Sequence, residues 1–390
     1  MAVTNDQYLA LDQLKVWYRK YSKQFIEISG IVGTGTWEVV QEFIEATSLD
    51  PREVIYLSYD QKQVLELAYQ GFHAYYFNAI YRYTRITNFD SLALLNAKSP
   101  QIEYLWKKEV KDKFSSPYKL MIIFDSMLLT LQNIKDLATL SLPIILIRDP
   151  MLLPVPNSYT FLRDADIILR EINPKYNDSL ITYFTQKIIR GDKIDYGSYG
   201  EVAVVPRKQL NFYNLRSADM IITLSEEVSG IFNQIYREQI IKAKGSINTV
   251  GERVIVAESL YDEVLKNKDN KKVKVYLSKG LIGSLSKVIK HAVGTRYIRV
   301  DLKPDGYHES FSDLSLDRFY LNRISASSRQ EIPKEILQVE YAYALSAPLA
   351  RNSHWDRTTV IFDSHTDDEL ETRLKYTAVT RTRKAMTLVL

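Results

Sequence analysis

The sequence predicts an α/β protein: two doubly wound parallel-sheet units, the second interrupted by a small β-rich, barrel-like insertion. Three observations carry this. KLMIIFD (119–125) and LPIILIRD (142–149) are continuous apolar runs ending in an acid, as buried parallel strands do. Helical patterns alternate with such runs at both ends of the chain, which is the texture of βαβ units. Between 251 and 333 the pattern changes to short β-rich pieces, GERVIVA, KVKVYLS and TRYIRVDL, before the alternation resumes.

In chain order, Leu9, Leu11, Leu14 and Trp17 recur at helical spacing and predict an opening helix over 6–21. A strand follows near Phe25, then a glycine turn and an amphipathic segment over 38–46. EVIYLS (53–58) reads as a strand and 61–69 as a helix, leading into an aromatic stretch from Phe72 to Tyr83 whose main expected role is packing. Residues 84–116 read as an insertion, and the prolines of 150–156 close the first core. A second unit is expected from 165, with strands at 166–169 and 220–224 and helices at 181–189 and 230–241. After the insertion come strands at 341–345 and 358–363, a helix over 367–380 and a last strand at 385–390. The expected division is 1–164, 165–250, 251–333 and 334–390.

ISGIVGTGTW (28–37) has the layout strand, glycine turn, helix, with bends at Gly30, Gly33 and Gly35. Glycines let consecutive backbone N–H groups converge on phosphate oxygens at a helix N-terminus. The chemistry of such a loop also needs a Lys and a Ser or Thr hydroxyl, in the pattern GxxxxGK[ST]. Here Thr36 holds the Lys position and Trp37 the hydroxyl position. The indole is large enough to fill the volume a metal and terminal phosphate would take.

The 390 residues are 46% hydrophobic and 25% charged, an ordinary globular composition with room for two or three domains. Without Cys there are no disulfides, thiolate zinc sites or cysteine nucleophiles, and five scattered His form no metal cluster, so neither metal nor cofactor is expected. No leader pattern and no apolar run near 18 residues is present, so the expected location is cytoplasmic, with no membrane partner. Net charge is only +4, but the charge is uneven. Lys266, Lys268, Lys271, Lys272, Lys274, Lys279, Lys287, Lys290, Arg296 and Arg299 lie in a segment whose one acid is Asp269. This segment is a candidate nucleic-acid surface or a solubilising face.

Taken together, the motifs resemble superfamily 1 DNA helicases of the RecD and phage Dda type over essentially the whole chain. YALSAPLARNSHWDRTTVIFD (343–363) matches the family pattern YAxTxHKxQGxxWDxVxV without a gap, and KYTAVTRTRKAMTLVL (375–390) is similar to the final motif. Residues 4–7 resemble the adenine-reading Gln motif, RDPMLLPVP (148–156) resembles GDxxQLPPV, and LREINPKYNDS (169–179) resembles LTExxRxxxxS. The resemblance implies two RecA-like motor domains of the P-loop NTPase fold, ATP-driven movement on single-stranded DNA, Gln7 at adenine and Arg381 at the γ-phosphate.

The departures fall on the residues that do chemistry. Beside Thr36 and Trp37, Asp125 survives in the second ATP motif but Ser126 replaces its Glu. Leu152 replaces the coupling Gln and Pro174 an Arg, while Pro348, Leu349, Arg351 and Asn352 replace the residues of HKxQG. The expected function is therefore a helicase-like pseudoenzyme with a degenerate Walker A loop, phage or mobile-element encoded. It would bind single-stranded DNA as an accessory factor in replication, recombination or transcription. The alternatives are a protein scaffold within a larger complex and an active helicase with unconventional motifs. In the plainer readings Gln7 caps the first helix, Asp125 and Asp149 are strand-end acids held by backbone N–H groups, and Arg381 is an interdomain ion-pair partner. Trp355 and Asp356 would then be core and cap.

Overall fold

The computed structural model describes residues 4–87, 104–110, 118–161, 164–243, 250–257, 260–266, 272–277, 279–289, 297–305, 310–317, 336–351, 353–363 and 368–390. Helix α1 (Asn5–Lys20) starts in a capping box in which Thr4 and Gln7 satisfy each other's backbone N–H, and it buries Ala10, Leu11, Leu14 and Trp17. The first unit continues with β1 (Phe25–Gly30), α2 (Thr36–Thr47), β2 (Val54–Ser58), α3 (Gln61–Tyr69), β3 (His73–Tyr76) and an antiparallel pair, β4 (Tyr81–Thr87) with β5 (Tyr104–Val110). It ends with β6 (Leu120–Ile123), α4 (Leu131–Ala138), β7 (Ile144–Arg148) and β8 (Ile167–Leu169).

The sheet order is β3-β2-β6-β7-β1-β8, and every pairing is parallel. Alternate strand residues serve opposite faces. Tyr56, Ile122 and Ile145 pack with α1 and α2 residues such as Leu14 and Phe43. Ile55, Leu57, Met121 and Leu146 pack with Leu137 beneath α4. Helices on both faces are why these strands read as unbroken apolar runs.

One boundary needs correction. The strand expected to open the second unit at 166–169 instead completes the first sheet as β8, with Ile28 opposite Ile167 and Gly30 opposite Leu169. Its alternation of buried and exposed residues is that of an edge strand, a role that composition does not distinguish from the start of a new unit.

The second unit contains α5 (Leu180–Arg190), β9 (Gly197–Tyr199), β10 (Val202–Val205), α6 (Phe212–Ser217), β11 (Met220–Thr223) and α7 (Glu226–Ile235). The insertion supplies β12 (Arg253–Val256), β13 (Leu260–Lys266), β14 (Lys272–Leu277), β15 (Ile282–Ile289), β16 (Tyr297–Pro304), β17 (Phe311–Asp317) and β18 (Val339–Tyr341). The chain then returns through β19 (Ala344–Ser346), α8 (Ala347–Ala350), β20 (Trp355–Ile361), α9 (Glu369–Thr380) and β21 (Thr382–Val389). The second sheet has the order β19-β11-β20-β21-β10-β9, parallel except for the hairpin partner β9.

Strands β17-β16-β15-β12-β18 form the insertion's sheet, and a bridge from Leu316 to Leu337 joins its two edges, giving the barrel-like form expected. The run predicted as one strand at 341–345 divides: β18 pairs with β12, and β19 pairs with β11. Thus the chain is an α/β protein with two doubly wound, largely parallel sheets and a β-rich insertion in the second. No described helix is long and apolar enough to cross a membrane.

Candidate functional site

The glycine loop lies where expected, between β1 and α2, and two of its carbonyls and one of its N–H groups are bonded to other parts of the protein. Gly35 (φ +76°) is the N-cap of α2 in the left-handed region that favours Gly, and a Cβ there would lie 2.3 Å from Gln7 Nε2. That Nε2 donates to the Thr34 carbonyl at 2.7 Å, while Gln7 Oε1 accepts from Asn173 Nδ2 at 3.1 Å. The Asn173 N–H caps the Gly33 carbonyl at 2.8 Å. From the second unit, the buried Tyr376 hydroxyl accepts the Val32 N–H at 2.8 Å and donates to Asp149 Oδ2 at 2.6 Å. Ile31 and Val32 pack against the second unit's core. Glu38 places a carboxylate in the first turn of α2, where a phosphate's charge would otherwise be favoured. Burial works to raise its pKa, but Tyr176, Lys175 and its own N–H hold it below the ordinary value. An anion at this helix end would meet a negative charge already in place.

The strand-end acids differ. Asp149 accepts the Met151 N–H at 3.0 Å and the Tyr376 hydroxyl; burial raises its pKa to about 6 against these bonds and the pull of Arg381. Asp125 has a left-handed backbone (φ +51°), and no group among the described residues hydrogen-bonds its side chain. Burial raises its pKa too, opposed by Arg381 and His354. The expectation that backbone N–H groups hold both acids therefore fits Asp149 alone.

Ser126 is fully buried and donates to Glu27 Oε1 at 3.0 Å, turned into the core instead of toward the cleft. Glu27, in the middle of β1, also accepts the Tyr159 hydroxyl and lies 3.6 Å from Arg148.

Arg381 is 2% exposed and makes no ion pair among the described residues, which corrects the ion-pair expectation. Its guanidinium donates to the Arg351 carbonyl at 2.7 Å and to Thr380 Oγ1 at 3.1 Å, within its own unit, and its Nε–H has no partner. The units are tied elsewhere. His354 Nδ1 meets the buried Asp60 at 2.7 Å, Arg383 pairs with Glu66, Arg373 donates to the Pro150 carbonyl at 2.6 Å, and the Leu153 N–H donates to Thr377 at 3.2 Å. Burial and the Arg381 charge lower the His354 pKa against the opposing Asp60 and Asp125. For Asp60, burial is outweighed by the His354 hydrogen bond and the Arg383 charge, so it stays below the ordinary carboxylate value. The pair is thus a carboxylate accepting the Nδ1–H of a neutral imidazole.

Trp37 is half-buried. Its ring lies 5.0 Å from Phe124 and 6.0 Å from Tyr56, packed toward α3. It borders a cavity of about 340 Å³ between the units, with Phe124, Asp60 and Gln63 on one side and His354 and Arg383 on the other. The indole is packed against the first unit's core. Gln7 does cap α1, and Trp355 is core, but Asp356 pairs with Lys384 at 2.9 Å instead of capping a helix. Phe72, Tyr75, Phe77 and Tyr81 pack in the first unit's two cores.

Of the basic segment, Lys279, Lys287 and Arg299 are exposed. Arg299 donates to the Asp313 carbonyl at 2.9 Å. Lys266, Lys272 and Lys274 lie on β13 and β14, whereas Lys268, Lys271, Lys290 and Arg296 lie outside the described residues, as do Asn352 and most of 84–116. Among the described residues no group of three or more His, Asp or Glu side chains could hold a metal ion.

This arrangement is similar to solved helicases. The Pif1 helicase from Candida albicans aligns with 11% identity over 100% of this chain and 95% of that one, at a TM-score of 0.42. The Bacteroides Pif1 helicase, solved with ADP-AlF3 and single-stranded DNA, aligns with 14% identity over 100% and 92%, at 0.47. Arterivirus nonstructural protein 10, also a helicase, aligns with 10% identity over 100% and 63%, at 0.37. No family model and no curated protein matches the chain. The fold assignment rests on the chain's own strand order.

Four residues escaped the sequence reading: Glu27 in the core of the first unit, and Tyr376, Asp60 and His354 in bonds between the units. Glu27 had a signal, an acid inside the apolar run FIEISG. For the others, partners more than 200 residues away made the role unreadable from local pattern.

Proposed function

We propose that this chain is a helicase-like pseudoenzyme, related to the RecD and Dda type, that has lost ATP hydrolysis and acts as a nucleic-acid-binding accessory factor encoded by a phage or mobile element. One observation carries the loss of activity: Thr36 and Trp37 stand where the phosphate loop needs a Lys and a hydroxyl, and Glu38 sets a carboxylate in the first turn of the following helix. Ser126, bonded inward to Glu27, adds to it, because no carboxylate follows Asp125 to polarise an attacking water. Losing one preorganised electrostatic contact commonly costs about 2.7–4 kcal/mol, or roughly 10²–10³ in rate. Lys and the metal hydroxyl are both replaced here. DNA-stimulated phosphate release should be absent, and Thr36→Lys with Trp37→Thr should not create it, since Glu38 and Tyr376 still hold the loop. Hydrolysis in either protein would overturn this reading.

Nucleic-acid binding is supported by the two-unit architecture and by the exposed Lys279, Lys287 and Arg299 of the insertion. Filter binding of a single-stranded oligonucleotide should weaken steeply as salt rises, because each neutralised phosphate releases counterions. Weak binding that is flat with salt would sink it. A protein scaffold is the second reading, and one observation favours it: Arg299 already pairs with the Asp313 carboxylate at 3.9 Å, which offsets part of the charge offered to a strand. A stoichiometric protein partner on purification from the native host, without nucleic acid, would select this alternative.

A further inference from the structure

The contact between the two units is concentrated on one short segment of the first, 149–154, which follows the end of β7. Its apolar residues do not pack at home. Leu152 and Leu153 are 5% and 6% exposed, and both lie in the second unit's core with Phe184, Ile188, Tyr376 and Val379. Met151 packs against the same cluster from its edge, as do Ile31 and Val32 of the glycine turn. The polar contacts converge on the same segment. Arg373, Tyr376 and Thr377 stand at positions i, i+3 and i+4 of α9 and so share one face of that helix. Arg373 donates to the Pro150 carbonyl at 2.6 Å, Tyr376 to Asp149 Oδ2 at 2.6 Å, and Thr377 Oγ1 accepts the Leu153 N–H at 3.2 Å. Arg351, after α8, donates to the Pro154 carbonyl at 3.3 Å. Two carbonyls and one N–H of the segment are therefore paired across the contact. Leu152 also stands at the position of the coupling Gln in the motif that this segment resembles. An amide there would be solvated in an open cleft, whereas a leucine gains only by staying buried.

We propose that segment 149–154 is a plug that welds the two units into one body, closed with or without nucleotide and strand. Units joined by ordinary domain contacts are expected to move relative to one another, unless the contact is large and apolar. Here side chains of one unit complete the core of the other, so parting the units would return Leu152 and Leu153 to water and open a void beside Tyr376. The chain then offers its partner a fixed surface and does not alternate between open and closed forms. The inference rests on this contact, and neither on the loss of hydrolysis nor on strand binding.

Single-molecule energy transfer in the intact chain tests it, and the absence of Cys makes the labelling specific. Exposed positions on the two units serve as dye sites: Lys135→Cys on α4 with Glu227→Cys on α7, and Asp12→Cys on α1 with Glu227→Cys. Each pair should give one narrow population. Its mean transfer efficiency should stay within the width of that population when the non-hydrolysable ATP analogue AMP-PNP, oligothymidylate or both are added. A second population, or a shift larger than the width with any addition, would overturn the proposal. Leu152→Gln places an amide in the apolar core and should free the units, broadening the population or adding a second one in both pairs. A population as narrow as the parent's would overturn the role of the plug. Should Leu152→Gln fail to fold, Met151→Ser with Arg373→Gln acts at the half-buried edge of the same contact, and the same two outcomes apply. Phosphate release is read on the same samples. Hydrolysis at a fixed distance would overturn the loss of activity and leave the weld standing, whereas a distance that shifts without hydrolysis would overturn the weld alone.

Discussion

The two sides of the first turn of α2 are held in different ways. On the loop side the Gly33 and Thr34 carbonyls and the Val32 N–H are bonded to protein groups. On the Trp37 side the indole packs on Phe124 and Tyr56 and borders an open cavity. Buried polar groups are costly unless paired, so the loop side depends on its hydrogen-bond partners. The Trp37 side depends on aromatic contact instead.

The largest effect should come from the interior of the loop side. Glu27 is fully buried and is the partner of Ser126, Tyr159 and Arg148. Glu27→Ala would leave a guanidinium that is 15% exposed without its carboxylate, a loss of about 3–5 kcal/mol in chemical denaturation. Ser126→Ala removes only one hydrogen bond to the same carboxylate and should cost about 1 kcal/mol. Equal effects would mean that Glu27 does not organise this side.

Tyr376→Phe comes next. It strips the Val32 N–H and Asp149 of a shared partner, and should cost about 1–3 kcal/mol. The pH dependence gives a sharper check. The folded pKa of Asp149, about 6, lies above its ordinary value of 3.8, so the folded state binds its proton more tightly. The stability this contributes is fully present below about pH 4 and is lost as pH rises through about 6, a change on the order of 1–3 kcal/mol. Asp149→Asn should flatten that decline. Since the Tyr376 bond lowers the Asp149 pKa, Tyr376→Phe should move the decline to higher pH. A decline at the same pH in both proteins would place its origin elsewhere.

These contrasts also explain what the sequence could convey. The strands of the first sheet were legible because helices cover both faces, which forces unbroken apolar runs such as LMII and IILIR. The glycine turn was legible because Gly35 leaves no room for a Cβ beside Gln7. By contrast, β8 was misplaced because a three-residue edge strand carries too little pattern to reveal which sheet it joins. The direction of Trp37 was not legible either: its orientation depends on Phe124 and Tyr56, which arrive from two other strands. Identity showed that the phosphate-binding side chains were absent. Only the folded arrangement assigned their replacements, with Tyr376 contributed from a helix of the other unit.

The smallest expected effect on stability lies on the cavity side. Arg383 pairs with Glu66 across the units, but the two side chains are 27% and 48% exposed, so water already solvates much of both charges. Exposed pairs of this kind contribute about 0–1 kcal/mol. Arg383→Gln should therefore leave the denaturation midpoint nearly unchanged, in contrast to Glu27→Ala. It should still alter the cavity, because it removes a charged donor from the wall while Gln63 and Trp37 remain. A large loss of stability would make Arg383 a latch between the units. A nearly unchanged midpoint would set this exposed pair apart from the buried Glu27 cluster.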